Sequence, residues 1–175
     1  KESRAREARE KERNLAARLR EKHRERQRQK QSPSMSESES ESDREVRRKK
    51  MVEAAKAEID NISPEEASRR AADEDALIVD IRDVRELERE GMVPGAFHAP
   101  RGMLEFWVDP SSPYHKDVFS SGKRLVFYCQ SGWRSALATK AVQDMGLERV
   151  CHIGDGYRGW KDSGAETEDV EPKRR

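Results

Sequence analysis

The apolar positions of this chain fall into short groups separated by polar stretches. Ala76 to Ile81 is an apolar run interrupted by Asp80, and Arg124–Tyr128 and Val150–Ile153 are two more. Each is too short for a helix and long enough for a buried strand. Between the last two, Ala138, Ala141, Val142 and Met145 recur at helical spacing within Ser135–Met145, and Gly146 follows as a stop signal. Strand, helix, strand in that order predicts a right-handed crossover and a parallel sheet. Upstream, Ser63-Pro64-Glu65-Glu66 reads as a capping box with proline at the first helical position, opening a helix to about Ala72. Over 47–61, Met51, Val52, Ala55 and Ile59 lie near helical spacing and predict a lead-in helix acting as a lid on the domain. Residues 1–34 have only Leu15, Leu19 and a few alanines as apolar positions. No face can bury itself there, so a solvated helix or disorder is expected.

Charge sharpens this division. The 175 residues are 33% hydrophobic with a net charge of +1, which suits one domain plus a tail. Residues 1–50 hold 18 Lys/Arg against 11 Asp/Glu, and the remainder holds 18 against 24, so a basic N-terminal segment is joined to an acidic domain. The expected organisation is a charged low-complexity tail over 1–46, the lead-in helix over 47–61, the domain over 62–166 and a charged C-terminal tail over 167–175. Met35, opening an alternating Ser-Glu run, is a candidate start with residues 1–34 upstream of it. Interleaved glutamates and the lack of aromatics in the tail argue against nucleic-acid binding and against an organellar transit peptide. No apolar run approaches the roughly 20 residues that span a bilayer. Cys129 and Cys151 are too few for a disulfide framework and fit a reducing cytoplasm. His23, His98, His115 and His152 are scattered without ligand spacing, and no phosphate-binding glycine motif occurs, so neither metal nor cofactor is expected.

One turn carries candidate chemistry. It follows the run ending at Tyr128 and reads Cys129-Gln130-Ser131-Gly132-Trp133-Arg134-Ser135. In an open parallel sheet, ligands collect beyond the carboxyl ends of the strands. A thiol there faces a helix N-terminus, whose unpaired N–H groups and dipole favour an anion, hence thiolate over thiol. Gly132 lets the loop curl, and Arg134 adds a planar cation suited to an oxyanion. Cys151, inside a strand run, reads as core packing. Arg101 and Trp107 are candidates for the pocket mouth, although packing is the simpler reading of the aromatic RGMLEFW stretch.

Leu125–Ala138, LVFYCQSGWRSALA, resembles the active-site segment of single-domain rhodaneses, and two further stretches agree in order. Asp80-Ile81-Arg82 through Gly91-Met92-Val93-Pro94-Gly95-Ala96 is similar to that family's upstream signature, with Met92 where His is common. Gly154-Asp155-Gly156-Tyr157-Arg158-Gly159-Trp160 is similar to its downstream segment, with Asp155 where a glycine is common. The resemblance implies a three-layer α/β fold with a central parallel sheet of about five strands flanked by helices. It also implies ping-pong sulfur transfer through a Cys129 persulfide, with Gln130, Ser131, Gly132, Trp133, Arg134 and Ser135 forming the binding loop. The partners implied are a small anionic sulfur donor such as thiosulfate and a cyanide, thiol or protein acceptor. Asp80 is expected to pin loops through Arg82. A persulfide carrier or binding module is the non-enzymatic alternative. Cysteine-based phosphatase or arsenate reductase chemistry is the rival enzyme class, disfavoured because only four residues separate Cys129 from Arg134, one fewer than such phosphatases use to encircle phosphate.

Overall fold

A computed structural model of the chain describes residues 40–172 together with Glu21. The expectations for the rest of the charged tail over residues 1–39, and for Met35 as a start, lie outside the described residues. The chain divides into two units between Glu45 and Val46, and the sheet belongs to the second. Helix α1 spans Glu41–Glu58, beginning earlier than the hydrophobic spacing predicts. Ser40 supplies the reason: its hydroxyl accepts the Asp43 N–H at 3.2 Å, satisfying a donor at the helix start. Val52, Ala55 and Ile59 are buried with Ala136. Met51 stays 59% exposed, since it precedes Val52 and is turned off the buried stripe.

Five parallel strands make one sheet in the order β1-β5-β4-β2-β3. They are β1 Asn61–Ile62, β2 Ala76–Asp80, β3 Phe97–His98, β4 Arg124–Tyr128 and β5 Val150–Ile153. The helices that follow them in turn are α2 Pro64–Ala72, α3 Val84–Glu90, α4 Leu104–Val108, α5 Trp133–Asp144 and α6 Gly156–Asp162. Successive strand residues point to opposite faces, and the core divides accordingly. Ile78, Val126, Tyr128, Cys151 and Ile153 meet Ala67 of α2 and Tyr157 and Trp160 of α6 on one face. Val79, Leu125, Phe127 and Val150 meet Leu104 and Val108 of α4 and Ala138 and Val142 of α5 on the other. The sheet is therefore the middle of three layers, and β4 lies at its centre with Val126, Phe127 and Tyr128 wholly buried.

Some local readings change. The Ser63 hydroxyl accepts the Glu66 N–H at 3.2 Å, but the Glu66 carboxylate pairs with Arg69 and with Arg70 rather than returning to Ser63. Half of the predicted capping box therefore forms, because two arginines on the same face compete for that carboxylate. Helix α5 starts at Trp133 and leaves Met145 43% exposed. Its buried positions are Ser135, Ala136, Ala138, Thr139 and Val142, because the sheet covers one side and Val52, Ala55 and Ile59 cover Ala136. At the start of the charged segment from residue 167, Glu168 exchanges backbone hydrogen bonds of 2.8 Å with Met92 in both directions.

Candidate active site

Cys129 leaves the carboxyl end of the central strand β4, and the chain turns through Gln130, Ser131 and Gly132 into α5. Two glycines make this turn possible. Gly132, the residue before α5, has φ 79°, and a Cβ there would collide with the Gly154 carbonyl oxygen. Gly156, with φ 64°, lies so close that a Cβ would collide with the Cys129 carbonyl and sit 2.8 Å from the Gly132 nitrogen. The downstream glycine segment is thus the wall against which the cysteine loop is folded, a close approach that side chains would prevent.

The hydrogen bonds of the loop are one-sided. Its carbonyls are used by the start of α6: Tyr157 N–H donates to Cys129 O at 2.7 Å and Arg158 N–H to Gln130 O at 3.1 Å. Among the described residues, no acceptor meets the backbone N–H of Gln130, Ser131, Gly132, Trp133 or Arg134, and no side chain caps α5. These are the orphan donors of a helix start and its preceding turn, a site suited to negative charge. Cys129 is 1% exposed. Its Sγ accepts the Ser135 N–H at 3.4 Å and lies 3.5 Å from the Ser135 hydroxyl.

Arg134, the cation expected beside the loop, is held by a carboxylate. Its Nη1 and Nη2 donate to the two carboxylate oxygens of Glu86, each at 2.7 Å. This bidentate bond raises the guanidinium's pKa further, with Cys129 adding a smaller push in the same direction, and it holds the Glu86 carboxyl below its usual range. Glu86 is placed by a capping box on α3: the Asp83 side chain caps the helix, and the Asp83 N–H donates to Glu86 Oε2 at 3.1 Å. Gln130 is also held, donating Nε2–H to Glu90 Oε2 at 2.9 Å and accepting from Arg82 Nη1 at 3.2 Å. Ser131 is half-buried in the turn. Trp133 is 44% exposed at the rim, with the Arg48 guanidinium 5.5 Å from its ring centre.

Behind the loop, Asp80 and Arg82 form a wholly buried ion pair at 2.7 Å. Arg82 Nη2 also donates to Gly91 O at 2.7 Å, and its guanidinium lies 4.0 Å from the Tyr157 ring centre. Asp80 therefore acts as the expected anchor of neighbouring segments. Cys151 packs in the core as expected, and burial pushes its thiol up to about 11. Arg101 pairs with Glu105 at 2.5 Å and Trp107 meets Phe97 edge-on at 6.4 Å, so both serve local packing.

Sequence reading placed Glu86 in the upstream signature without a role at the loop, and missed Glu90 and His152. The Asp83-x-x-Glu86 spacing carries a capping signal that places Glu86 on the first turn of α3, but nothing local points it at Arg134, 48 positions away. His152 lies in a strand run and reads as core. Among the described residues there is no cluster of three or more metal-ligating side chains, and no helix is long and apolar enough to cross a membrane.

The family model of the Rhodanese-like domain matches residues 63–163. With a parallel five-stranded sheet and a cysteine loop of this construction, the chain belongs to the rhodanese-like family. A sulfurtransferase of Allochromatium vinosum is 32% identical over 103 residues, covering 58% of this chain and 88% of that protein. Human thiosulfate:glutathione sulfurtransferase is 30% identical over 91 residues, covering 49% and 78%. A solved Rhodopseudomonas palustris structure, of a protein of unknown function and possible tyrosine phosphatase, is 48% identical with a TM-score of 0.66, covering 69% of this chain and 93% of that one.

Proposed function

We propose that the chain is a sulfurtransferase in which Cys129 carries sulfur as a persulfide. The Cys129 thiolate attacks the outer sulfur of a small anionic donor such as thiosulfate. A Cys129 Sγ–S bond forms, the donor S–S bond breaks, and sulfite leaves with the electron pair. An acceptor nucleophile, cyanide or the thiol of a small molecule or protein, then attacks the outer sulfur and Cys129 departs as thiolate. In this reading the unpaired N–H groups of Gln130, Ser131, Gly132, Trp133 and Arg134 and the N–H of Ser135 hold the charge that builds on the sulfur atoms.

One observation carries the reading: Cys129 Sγ ends a central parallel strand and accepts from Ser135 beside five consecutive N–H groups that have no acceptor among the described residues. The test is thiocyanate formation from thiosulfate and cyanide. Cys129→Ser is expected to fall to the uncatalysed background while Cys151→Ser keeps most of the rate. Undiminished turnover by Cys129→Ser would overturn the proposal.

A phosphatase reading has the Rhodopseudomonas likeness in its favour. Against it stand the four-residue spacing from Cys129 to Arg134 and the engagement of both Arg134 Nη atoms by Glu86, which leaves a tight loop and no free guanidinium fork for a phosphate ester. Turnover of a phosphate monoester by the purified protein, lost in Cys129→Ser, would reverse this ranking.

A further inference from the structure

A buried chain of side chains leads from Cys129 to β1, and of these only the Cys129 side chain reacts in the proposed sulfur transfer. The Ser135 hydroxyl lies 3.5 Å from Cys129 Sγ and 3.0 Å from His152 Nδ1. His152 Nε2 lies 2.7 Å from Asn61 Oδ1. Cys129, Ser135 and His152 are all buried. The direction of the chain follows from its end. Asn61 spends both amide hydrogens on backbone carbonyls, donating to Lys56 O at 2.8 Å and Ile59 O at 2.9 Å. Its Oδ1 is therefore the atom offered to His152, and an oxygen can only accept, so His152 Nε2 carries the hydrogen. Burial, with the Lys56 charge adding to it, pushes the imidazole down to about 4, so near neutral pH the ring is uncharged and Nδ1 is a bare acceptor.

The Ser135 hydroxyl then has one hydrogen and two acceptors, and its allegiance depends on the sulfur. With a thiol at Cys129, S–H donates to Ser135 Oγ and the hydroxyl donates to His152, so every group is satisfied. With a thiolate, the hydroxyl turns to the charged sulfur, and His152 Nδ1 loses its donor. With a persulfide, the charge sits on the outer sulfur, Sγ needs the hydroxyl less, and the hydroxyl returns to His152. Deepening the sulfur-transfer reading above, we propose that Ser135 Oγ–H is a two-position switch with His152 as its resting acceptor. His152 is thereby a positioning residue that favours the uncharged Sγ of thiol and persulfide over the bare thiolate. The charged groups facing this chain are Lys56 of α1 beside His152 and Arg134 of α5, paired with Glu86 of α3, beside Cys129. None of them competes for the Ser135 hydrogen.

The test does not require sulfur transfer. In the unmodified protein labelled with nitrogen-15 in its histidines, the His152 Nδ1 resonance is expected to move towards that of an unbonded acceptor as pH rises through Cys129 ionisation. Alkylation of Cys129, read by mass, should abolish that response. A static resonance, or hydrogen carried on Nδ1, would overturn the proposal. In variants, His152→Leu frees the hydroxyl for the thiolate, and iodoacetamide alkylation of Cys129 at mildly acid pH is expected to accelerate about tenfold. His152→Asn, which restores an acceptor near the Nδ1 position, should return the rate towards the starting value, and in a Ser135→Ala background His152→Leu should change nothing. Slower alkylation in His152→Leu, or the same acceleration without Ser135, contradicts the switch. Should His152→Leu not fold, the resonance measurement decides alone. Loss of the thiocyanate activity with the alkylation results intact would sink sulfur transfer and spare the switch.

Discussion

Replacing Glu86 by glutamine removes the charge that occupies Arg134 while leaving an oxygen that can still accept the Asp83 N–H, so the start of α3 survives. The ion pair has two bonds of 2.7 Å, yet the Arg134 side chain is 43% exposed and Glu86 19%. Solvent therefore screens it, and the pair lies near the top of the surface range, at about 1 kcal/mol. An anionic donor that uses Arg134 must compete with Glu86 for the guanidinium. Relieving that competition by about 1 kcal/mol corresponds to about fivefold in affinity. Steady-state kinetics with thiosulfate as the varied substrate should thus show Glu86→Gln with a KM lowered about fivefold and kcat little changed, the difference shrinking as salt is added. An unchanged or raised KM would refute the view that Glu86 and the donor share Arg134.

The remaining expectations concern the frame around the loop and the response to pH. Gly156→Ala should cost about 2 kcal/mol or more, from backbone forced at φ 64° plus the collision with Cys129 O; urea unfolding would show it, and a neutral result would mean that the wall is not rigid. Asp80→Asn leaves Arg82 buried without its full counter-charge and should cost about 3–5 kcal/mol, against which a loss under 1 kcal/mol would count. Burial holds the folded pKa of His152 at about 4, below the ordinary imidazole value of 6.5. On acidification the unfolded chain takes the proton first, so this contribution is full above about pH 6.5, declines as pH falls and is lost by about pH 4. It amounts to about 3 kcal/mol, and it should vanish from the pH dependence of urea unfolding in His152→Asn; an identical pH slope in both proteins would refute it.

What could be read in the chain beforehand was what is local. The runs Ala76 to Ile81, Arg124–Tyr128 and Val150–Ile153 contain β2, β4 and β5 because each is buried on both faces and so written as a mostly apolar stretch. The cysteine loop was visible because glycine, arginine and a strand end sit within a few residues of one another. Strands β1 and β3, two residues each, have no period to detect, and their pairing is decided by neighbours distant in sequence. The same holds for the site. The contacts of Arg134 with Glu86, of Gln130 with Glu90 and of Ser135 with His152 each join separate elements, and only the fold brings them together. Met51 and Met145 show the converse limit, since helical spacing marks a candidate stripe while the neighbouring layer decides which edge of it is covered.

Most direct for the central claim is mass analysis of the intact protein after brief exposure to thiosulfate, followed by peptide mapping. Cys129 is expected to gain one sulfur atom that cyanide removes, with Cys151 unmodified. Protein that gains no sulfur, or gains it at Cys151 alone, would contradict the account.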